Sequence, residues 1–162
     1  MKKFFALLLF TILLIGCSSV VNTEKANLDL KNKTIVILPF ENYTETPLAG
    51  LRIASIAYGV LNSKGYNAKN FTINNEKDYK EEEIKETISK LKEENYDYAI
   101  TGTVNEFRYK TGIDGEPAVS ITLKVYDIKN DKVIYTAVGS KTGWAHESLT
   151  TVAQKILNKI VP

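Results

Sequence analysis

Few residues of this sequence have the types and spacing that covalent or acid–base chemistry needs. His146 is the only histidine of the chain, and Ser148 follows it two residues later, so a base and a nucleophile stand close together in sequence. A nucleophilic triad also needs a buried acid that orients the base, and no sequence feature marks one. A histidine next to a helix start is more often a surface residue, and we expect no catalytic site here.

Two carboxylates flank a glycine in the segment Asp114-Gly115-Glu116, between two predicted strands. Neighbouring residues on a hairpin turn point apart, so a simple turn sequence is one interpretation. An acidic tip that faces a ligand or a pore is the alternative. The sequence contains no clustered metal ligands, no P-loop and no G-x-G-x-x-G motif. We therefore expect no metal, no cofactor and no enzymatic activity.

The N-terminus has the pattern of a secretion signal. Lys2 and Lys3 precede the apolar run Phe4 to Ile15, which is shorter than the roughly 20 residues of a membrane-spanning helix. The run ends in Leu-Ile-Gly-Cys, which resembles the bacterial lipoprotein signal, in which the cysteine is acylated and becomes the first mature residue. Cys17 is also the only cysteine, so no disulfide can form within one chain. An ordinary signal peptide with a chance cysteine is the alternative.

These features divide the chain into a signal peptide (1–16), a lipidated tether (17–33) and one α/β domain (34–162). Cleavage removes Lys2 and Lys3, which takes the formal net charge from +2 to 0. A neutral chain exerts no long-range attraction on nucleic acid. Ser18, and not Asp, follows the cysteine, and by resemblance to the sorting of such lipoproteins this favours the outer membrane.

Hydrophobic periodicity predicts the elements of the domain. Apolar runs or period-two alternation indicate about five strands, in residues 34–38, 66–71, 96–112, 116–130 and 132–143. A period of 3.6 residues indicates three helices, in residues 46–65, 78–95 and 148–161. The order β-α-β-α-β-β-β-α predicts an α/β fold with a mixed sheet in a three-layer-like arrangement. In the first helix, Ser55 and Tyr58 are expected on the buried face.

Two stretches resemble known families. The segment "IVILPFENYTETPLAG", residues 35–50, is similar to the start of TolB N-terminal-like domains, which occur in envelope lipoproteins such as the curli secretion channel CsgG. Residues 98–157 resemble the PelC family of Pel exopolysaccharide export lipoproteins. That likeness lies in "YKTGIDGEPAVS", then "GSKTGW", then the helix "ESL…A…IL".

The PelC resemblance implies a lipoprotein on the periplasmic face of the outer membrane. It implies a homo-oligomeric ring, dodecameric in that family, beneath a PelB-like porin, which would guide a cationic exopolysaccharide to the exit. Asp114 and Glu116 are then the candidates for an acidic polymer-facing surface. Trp144 matches the membrane-facing tryptophan of the family. Lys141 is the candidate for contact with lipid phosphate, and a solvated lysine is the alternative. Packing of Trp144 on the first turn of the last helix, near Leu149, is the alternative.

Two other functions fit a lipid-anchored domain without catalytic groups. One is a regulator that docks on a cell-wall synthase, for which the predicted tether is short. The other is a secretion-channel subunit like CsgG, which needs additional hairpins that cross the bilayer. The hairpins of this chain are expected in the core sheet, so the export ring is the favoured hypothesis.

Overall fold

A computed structural model of the protein describes residues 19–23, 28–71, 75–112 and 115–162. Cys17 and Asp114, two of the candidate site residues, lie outside these ranges. The described strands are β1 (Ser19–Thr23), β2 (Thr34–Ile37), β3 (Glu41–Asn42), β4 (Asn67–Asn70), β5 (Tyr98–Tyr109), β6 (Pro117–Asp127) and β7 (Lys132–Thr142). The described helices are α1 (Ala49–Ser63), α2 (Glu81–Lys90) and α3 (Leu149–Ile160), and a 3-10 turn (Leu91–Glu93) follows α2.

The strands form one mixed sheet in the order β1-β7-β6-β5-β2-β4. β2 runs parallel to both β4 and β5, whereas β5, β6, β7 and β1 are antiparallel neighbours. β3 pairs in parallel with a later part of β5 than β2 does. The predicted α/β fold with a mixed sheet is confirmed, and β1 and β3 are additional strands that the periodicity did not indicate.

β1 lies in the segment that the sequence assigned to the tether. Residues 19–23 pair antiparallel with residues 137–141 of β7. Further along the segment, Leu30 is almost fully buried, and Leu28 packs against the same core. This segment therefore contributes an edge strand and core side chains to the domain.

Helices cover both faces of the sheet. α1 and α3 pack on one face, and the core there includes buried side chains from the helices and the central strands: Ile53, Leu61, Ile156, Leu157, Ile37, Ile100, Ile121 and Leu123. α2 packs on the opposite face over a smaller cluster: Ile84, Ile88, Val36, Leu38, Ala99 and Ile128. Each helix buries an apolar stripe against the sheet, which gives the three layers of the α/β class.

The buried face of α1 differs from the predicted one at two positions. Ser55 and Tyr58 are exposed, while the buried stripe includes Ile53, Ala54, Ala57, Val60 and Leu61. Apolar residues occur almost all round this helix, so periodicity alone could not select the stripe, and the position of the sheet decides it. The predicted stop is correct, because α1 ends just before Gly65, which adopts a left-handed backbone with φ of 84°.

Asp97 joins the starts of β2 and β5. Its Oδ2 accepts the backbone N–H of Thr34 at 3.0 Å, and its own N–H donates to the carbonyl of Thr34 at 2.9 Å. The ammonium groups of Lys33 and Lys129 lie 3.9 and 3.5 Å from Oδ1. The N–H of Thr34, together with these two lysines, holds the pKa of Asp97 below its usual range.

Replacing Asp97 by Asn is expected to lower the free energy of unfolding at pH 7 by about 1 kcal/mol, because a charge-assisted hydrogen bond is weakened. The folded pKa lies below the unfolded value of about 3.9, so the stabilisation exists above that value and disappears as pH falls through the folded pKa. Urea unfolding of both proteins between pH 7 and acid pH tests this.

The difference in free energy of unfolding between wild type and Asp97→Asn should shrink as the pH is lowered. The control is Glu86→Gln, which affects an exposed pair with Lys90 at 3.9 Å and should change stability by only a few tenths of a kcal/mol. A difference for Asp97→Asn that stays constant down to the acid limb would contradict the electrostatic account.

Candidate functional site

Three separate chain segments meet at one end of the long antiparallel part of the sheet. Ser19 of β1 lies opposite Lys141 of β7. Tyr109 of β5 lies opposite Pro117 of β6, and the carbonyl of Pro117 accepts the N–H of Gly143 at 2.8 Å. We call this region, comprising Ser19, Tyr109, Pro117, Lys141 and residues 143–148, the anchor end. Two peptide units separate residue 17 from Ser19, so covalent geometry keeps their Cα atoms within about 7 Å.

Trp144 lies in the turn between β7 and α3 and is 52% exposed. It belongs to neither of the two buried clusters, whereas Leu149, on the first turn of α3, packs against the larger one. The largest apolar side chain of the protein is therefore half in solvent. Lys141 is half-buried and lies three residues before Trp144, at the end of β7.

Glu147 holds this turn in place. Its Oε2 accepts the backbone N–H of Trp144 at 2.9 Å, and its Oε1 forms an ion pair with the ammonium group of Lys155, almost two turns into α3. The Glu147 side chain is only 6% exposed. Lys155 and the N–H of Trp144 hold the pKa of Glu147 below its usual range, so the carboxylate is charged at neutral pH. Glu147 was not among the residues predicted from the sequence, although its position three residues after Trp144 was a usable signal.

Gly143 is required by the close packing beneath the turn. A Cβ on this residue would lie 2.5 Å from Cγ2 of Val152 and 2.9 Å from Oε2 of Glu147. It would also lie 3.0 Å from Cγ of Pro117. Only a residue without a side chain lets the carboxylate and the first turn of α3 approach the end of β7 so closely.

The Ser148 hydroxyl is engaged in capping α3, and no hydrogen bond joins it to His146 among the described residues. Ser148 is the N-cap of α3: its Oγ accepts the backbone N–H of Thr151 at 3.1 Å and lies 3.0 Å from Oγ1 of the same residue. His146 is exposed on the turn. Among the residues that the structure describes, no group of three or more His, Cys, Asp or Glu side chains could hold a metal ion.

Of the two acidic candidates, Glu116 can be placed. It is half-buried at the base of the β5–β6 hairpin, where its carbonyl accepts the N–H of Lys110 at 2.8 Å. Because Pro117 follows directly, Glu116 lies at the anchor end, close to the turn that carries Trp144. The acidic candidate and the membrane-contact candidates thus share one end of the sheet.

A second group of acidic side chains, which the sequence analysis did not single out, lies between α2 and the sheet. A pocket of about 100 Å³ there is lined by residues that include Glu41, Tyr43, Glu81 and Lys124. The hydroxyl of Tyr43 donates to Oε2 of Glu41 at 2.7 Å. This hydrogen bond and the nearby carboxylates of Glu81 and Glu82 raise the pKa of Tyr43. Sequence spacing could not indicate this group, because its residues come from separate segments of the chain.

No protein-family model matches the chain, and no curated protein matches it. Among solved structures, it is similar to the PelC dodecamer from Paraburkholderia phytofirmans, with 29% identity and a TM-score of 0.77 over 89% of this chain and 95% of that chain. A second structure, of a variant PelC dodecamer from the same organism, gives 29% identity and a TM-score of 0.74 over 88% and 96% of the two chains. The lipoprotein GNA1162 from Neisseria meningitidis shares the fold, at 16% identity and a TM-score of 0.55 over 78% and 96%.

The fold and these likenesses define a class: an α/β domain of the kind found in bacterial lipoproteins. Within that class the chain is PelC-like, and the PelC resemblance inferred from the sequence is confirmed over most of the described chain. None of these related structures is named as an enzyme. None of the helices in the described ranges combines the length and the apolar character that a bilayer crossing requires.

Replacing Gly143 by Ala is expected to strain the turn, because the new Cβ overlaps Val152 and the Glu147 carboxylate. We expect a loss of about 1–3 kcal/mol of unfolding free energy, measured by urea unfolding. The matched control is Gly59→Ala in α1, where a Cβ meets nothing within 4 Å. That control should be stabilised by about 0.5–1 kcal/mol, as for Gly in any helix interior. Equal stability of the two variants would contradict the packing account.

Proposed function

We propose that this protein is a lipid-anchored subunit of a ring that guides a cationic exopolysaccharide to an outer-membrane porin. The observation that carries the proposal is the likeness to the PelC dodecamer over 89% of this chain. That likeness extends over nearly the whole domain and is not confined to one motif. The PelC resemblance supplies the PelB-like porin as partner and the periplasmic face of the outer membrane as location.

Ring formation is supported by the two different outer surfaces of the domain. A closed cyclic ring needs a heterologous contact, in which two distinct surfaces of neighbouring subunits meet. α1 and α3 carry Arg52, Lys155 and Lys159 and no acidic residue, whereas α2 on the opposite face carries four glutamates and two lysines. Opposite charge on opposite faces favours head-to-tail association of copies.

Attachment to the membrane through the anchor end is supported by the register of β1. Acylation of Cys17 brings lipid to within a few residues of Ser19, and Ser19 pairs with Lys141. Trp144 follows Lys141 by three residues and is half exposed. Indole favours the membrane–water interface, so the lipid anchor and Trp144 would contact the same bilayer.

Passage of a cationic polymer requires acidic groups along its path, because a passage lined by one sign of charge concentrates the opposite charge. Asp114 and Glu116 are the proposed acidic groups. Glu116 lies at the anchor end, so in the ring the copies of Glu116 would surround the opening nearest the membrane. The mature chain is neutral overall, and the segregation of charge between the helix layers supports an uneven surface potential.

Assembly can be tested on the chain from residue 18 onward, which lacks the acyl group. Mass photometry should show a high-order oligomer, as in the PelC dodecamer. Arg52→Glu should shift the distribution to smaller species, because it reverses charge on the basic face. Lys90→Glu on the acidic α2 is the control and should leave the size unchanged. A strict monomer at high protein concentration, together with capture of a cell-wall synthase, would favour the regulator instead.

Membrane contact can be tested with the same acyl-free protein and vesicles of phosphatidylethanolamine and phosphatidylglycerol. Trp144→Ala should reduce co-sedimentation with vesicles and change the free energy of unfolding little, because the side chain is half exposed. The control is Val133→Ala, an exposed apolar residue at the opposite end of β7. A drop in melting temperature with unchanged vesicle binding would assign Trp144 to packing at the start of α3.

A further inference from the structure

We propose that Tyr109 and Trp144 form one lipid-contact surface, which lies against the headgroup region of a phospholipid bilayer. This inference rests on the membrane contact of Trp144 proposed above and extends it across three strands. It adds a second aromatic side chain, Tyr109, which begins the "YKTGIDGEPAVS" segment but received no role in the sequence-based predictions.

The register of the sheet places Tyr109 close to the turn that carries Trp144. Tyr109 lies opposite Pro117, and Pro117 is hydrogen-bonded to Gly143, the residue before Trp144. With strands about 4.8 Å apart, the Cα atoms of Tyr109 and Gly143 are separated by about 10 Å. The Pro117 ring lies on the side of the sheet towards which a Cβ of Gly143 would point. Opposed residues of neighbouring strands share a face, so Tyr109 is on that side too.

The exposure of Tyr109 matches that of Trp144. The two side chains are 50% and 52% exposed. Among the described residues, no hydrogen bond to the Tyr109 hydroxyl is present, and half of the residue is open to solvent. Tyrosine and tryptophan are the side chains enriched at membrane interfaces, because the ring enters the apolar zone while the polar atom stays with the headgroups.

Basic residues accompany each of the two aromatic side chains. The exposed Lys110 follows Tyr109, and Lys141 precedes Trp144 by three residues. Ammonium groups next to interfacial aromatics interact favourably with lipid phosphates. The chemistry of this surface therefore fits an anionic or zwitterionic phospholipid.

The position of the N-terminal segment identifies a bilayer as the occupant. Ser19 emerges from the sheet opposite Lys141, and the predicted acylated residue is two positions earlier in the chain. Lipid attached there arrives at the end of the sheet that carries Tyr109 and Trp144. The other exposed tyrosines, Tyr43 and Tyr58, follow β3 and lie within α1, and no comparable link to the anchor exists for them.

The test uses single-tryptophan reporters, which are possible because Trp144 is the only tryptophan. The full acylated protein is reconstituted into vesicles of phosphatidylethanolamine and phosphatidylglycerol, with or without bromine on the acyl chains. Three proteins are compared: wild type, Tyr109→Trp combined with Trp144→Phe, and Tyr58→Trp combined with Trp144→Phe. Urea unfolding first checks that all three are equally stable.

We expect brominated lipid to quench the reporter at position 109 to an extent similar to wild-type Trp144, and to leave the reporter at position 58 unquenched. Quenching of Trp144 without quenching at position 109 would overturn the inference and leave the proposed membrane contact intact. No quenching at either position would overturn the membrane contact itself. A position-109 reporter that is already shielded in detergent-solubilised oligomer, and unchanged by bromine, would assign Tyr109 to a contact between subunits and overturn the inference.

Discussion

Hydrogen bonding along β5, β6 and β7 sets the register on which the candidate site depends. These three long antiparallel strands align Tyr109, Pro117 and Gly143 at one end, and β1 then adds Ser19 beside Lys141. A one-residue slip between two such strands would exchange the buried and exposed faces of every residue in the slipped strand. The apolar face of β6, with Val119, Ile121, Leu123 and Val125 all buried, prevents that slip. Core packing and the location of the site therefore share a single cause.

A β-bulge in β5 keeps the apolar side chains of this strand on the core face as the strand continues to the anchor end. Val104 and Phe107 are both buried, although an interval of three residues would put them on opposite faces of a regular strand. The register shifts between Val104 and Glu106, so the extra residue brings Phe107 back to the core face. Tyr109, two residues later, consequently reaches the end of the sheet on that same face.

The polar residues around Trp144 hold the backbone of the turn between β7 and α3 in place. Gly143 allows close packing, Glu147 accepts the N–H of Trp144, and Ser148 caps α3. These polar groups are satisfied among themselves, so they fix the turn without any need for the indole to be buried. In the proposed ring each copy would repeat the same weak aromatic contact, and repeated contacts on one rigid assembly bind a membrane much more tightly than one.

Local periodicity by itself determined the α/β class, the order of the eight main elements, and the separation of the apolar and polar faces of β6. The class and the mixed sheet are confirmed because each of these elements buries a regular stripe, which one-dimensional spacing records. Only the tertiary structure decided that β1 joins the sheet, which stripe of α1 is buried, and that Glu147 meets Lys155 and Trp144 beneath the turn. It also decided that the N-terminal segment, Tyr109 and Trp144 share one end. These facts depend on hydrogen bonds and packing between residues distant in sequence, which leave no period in the chain.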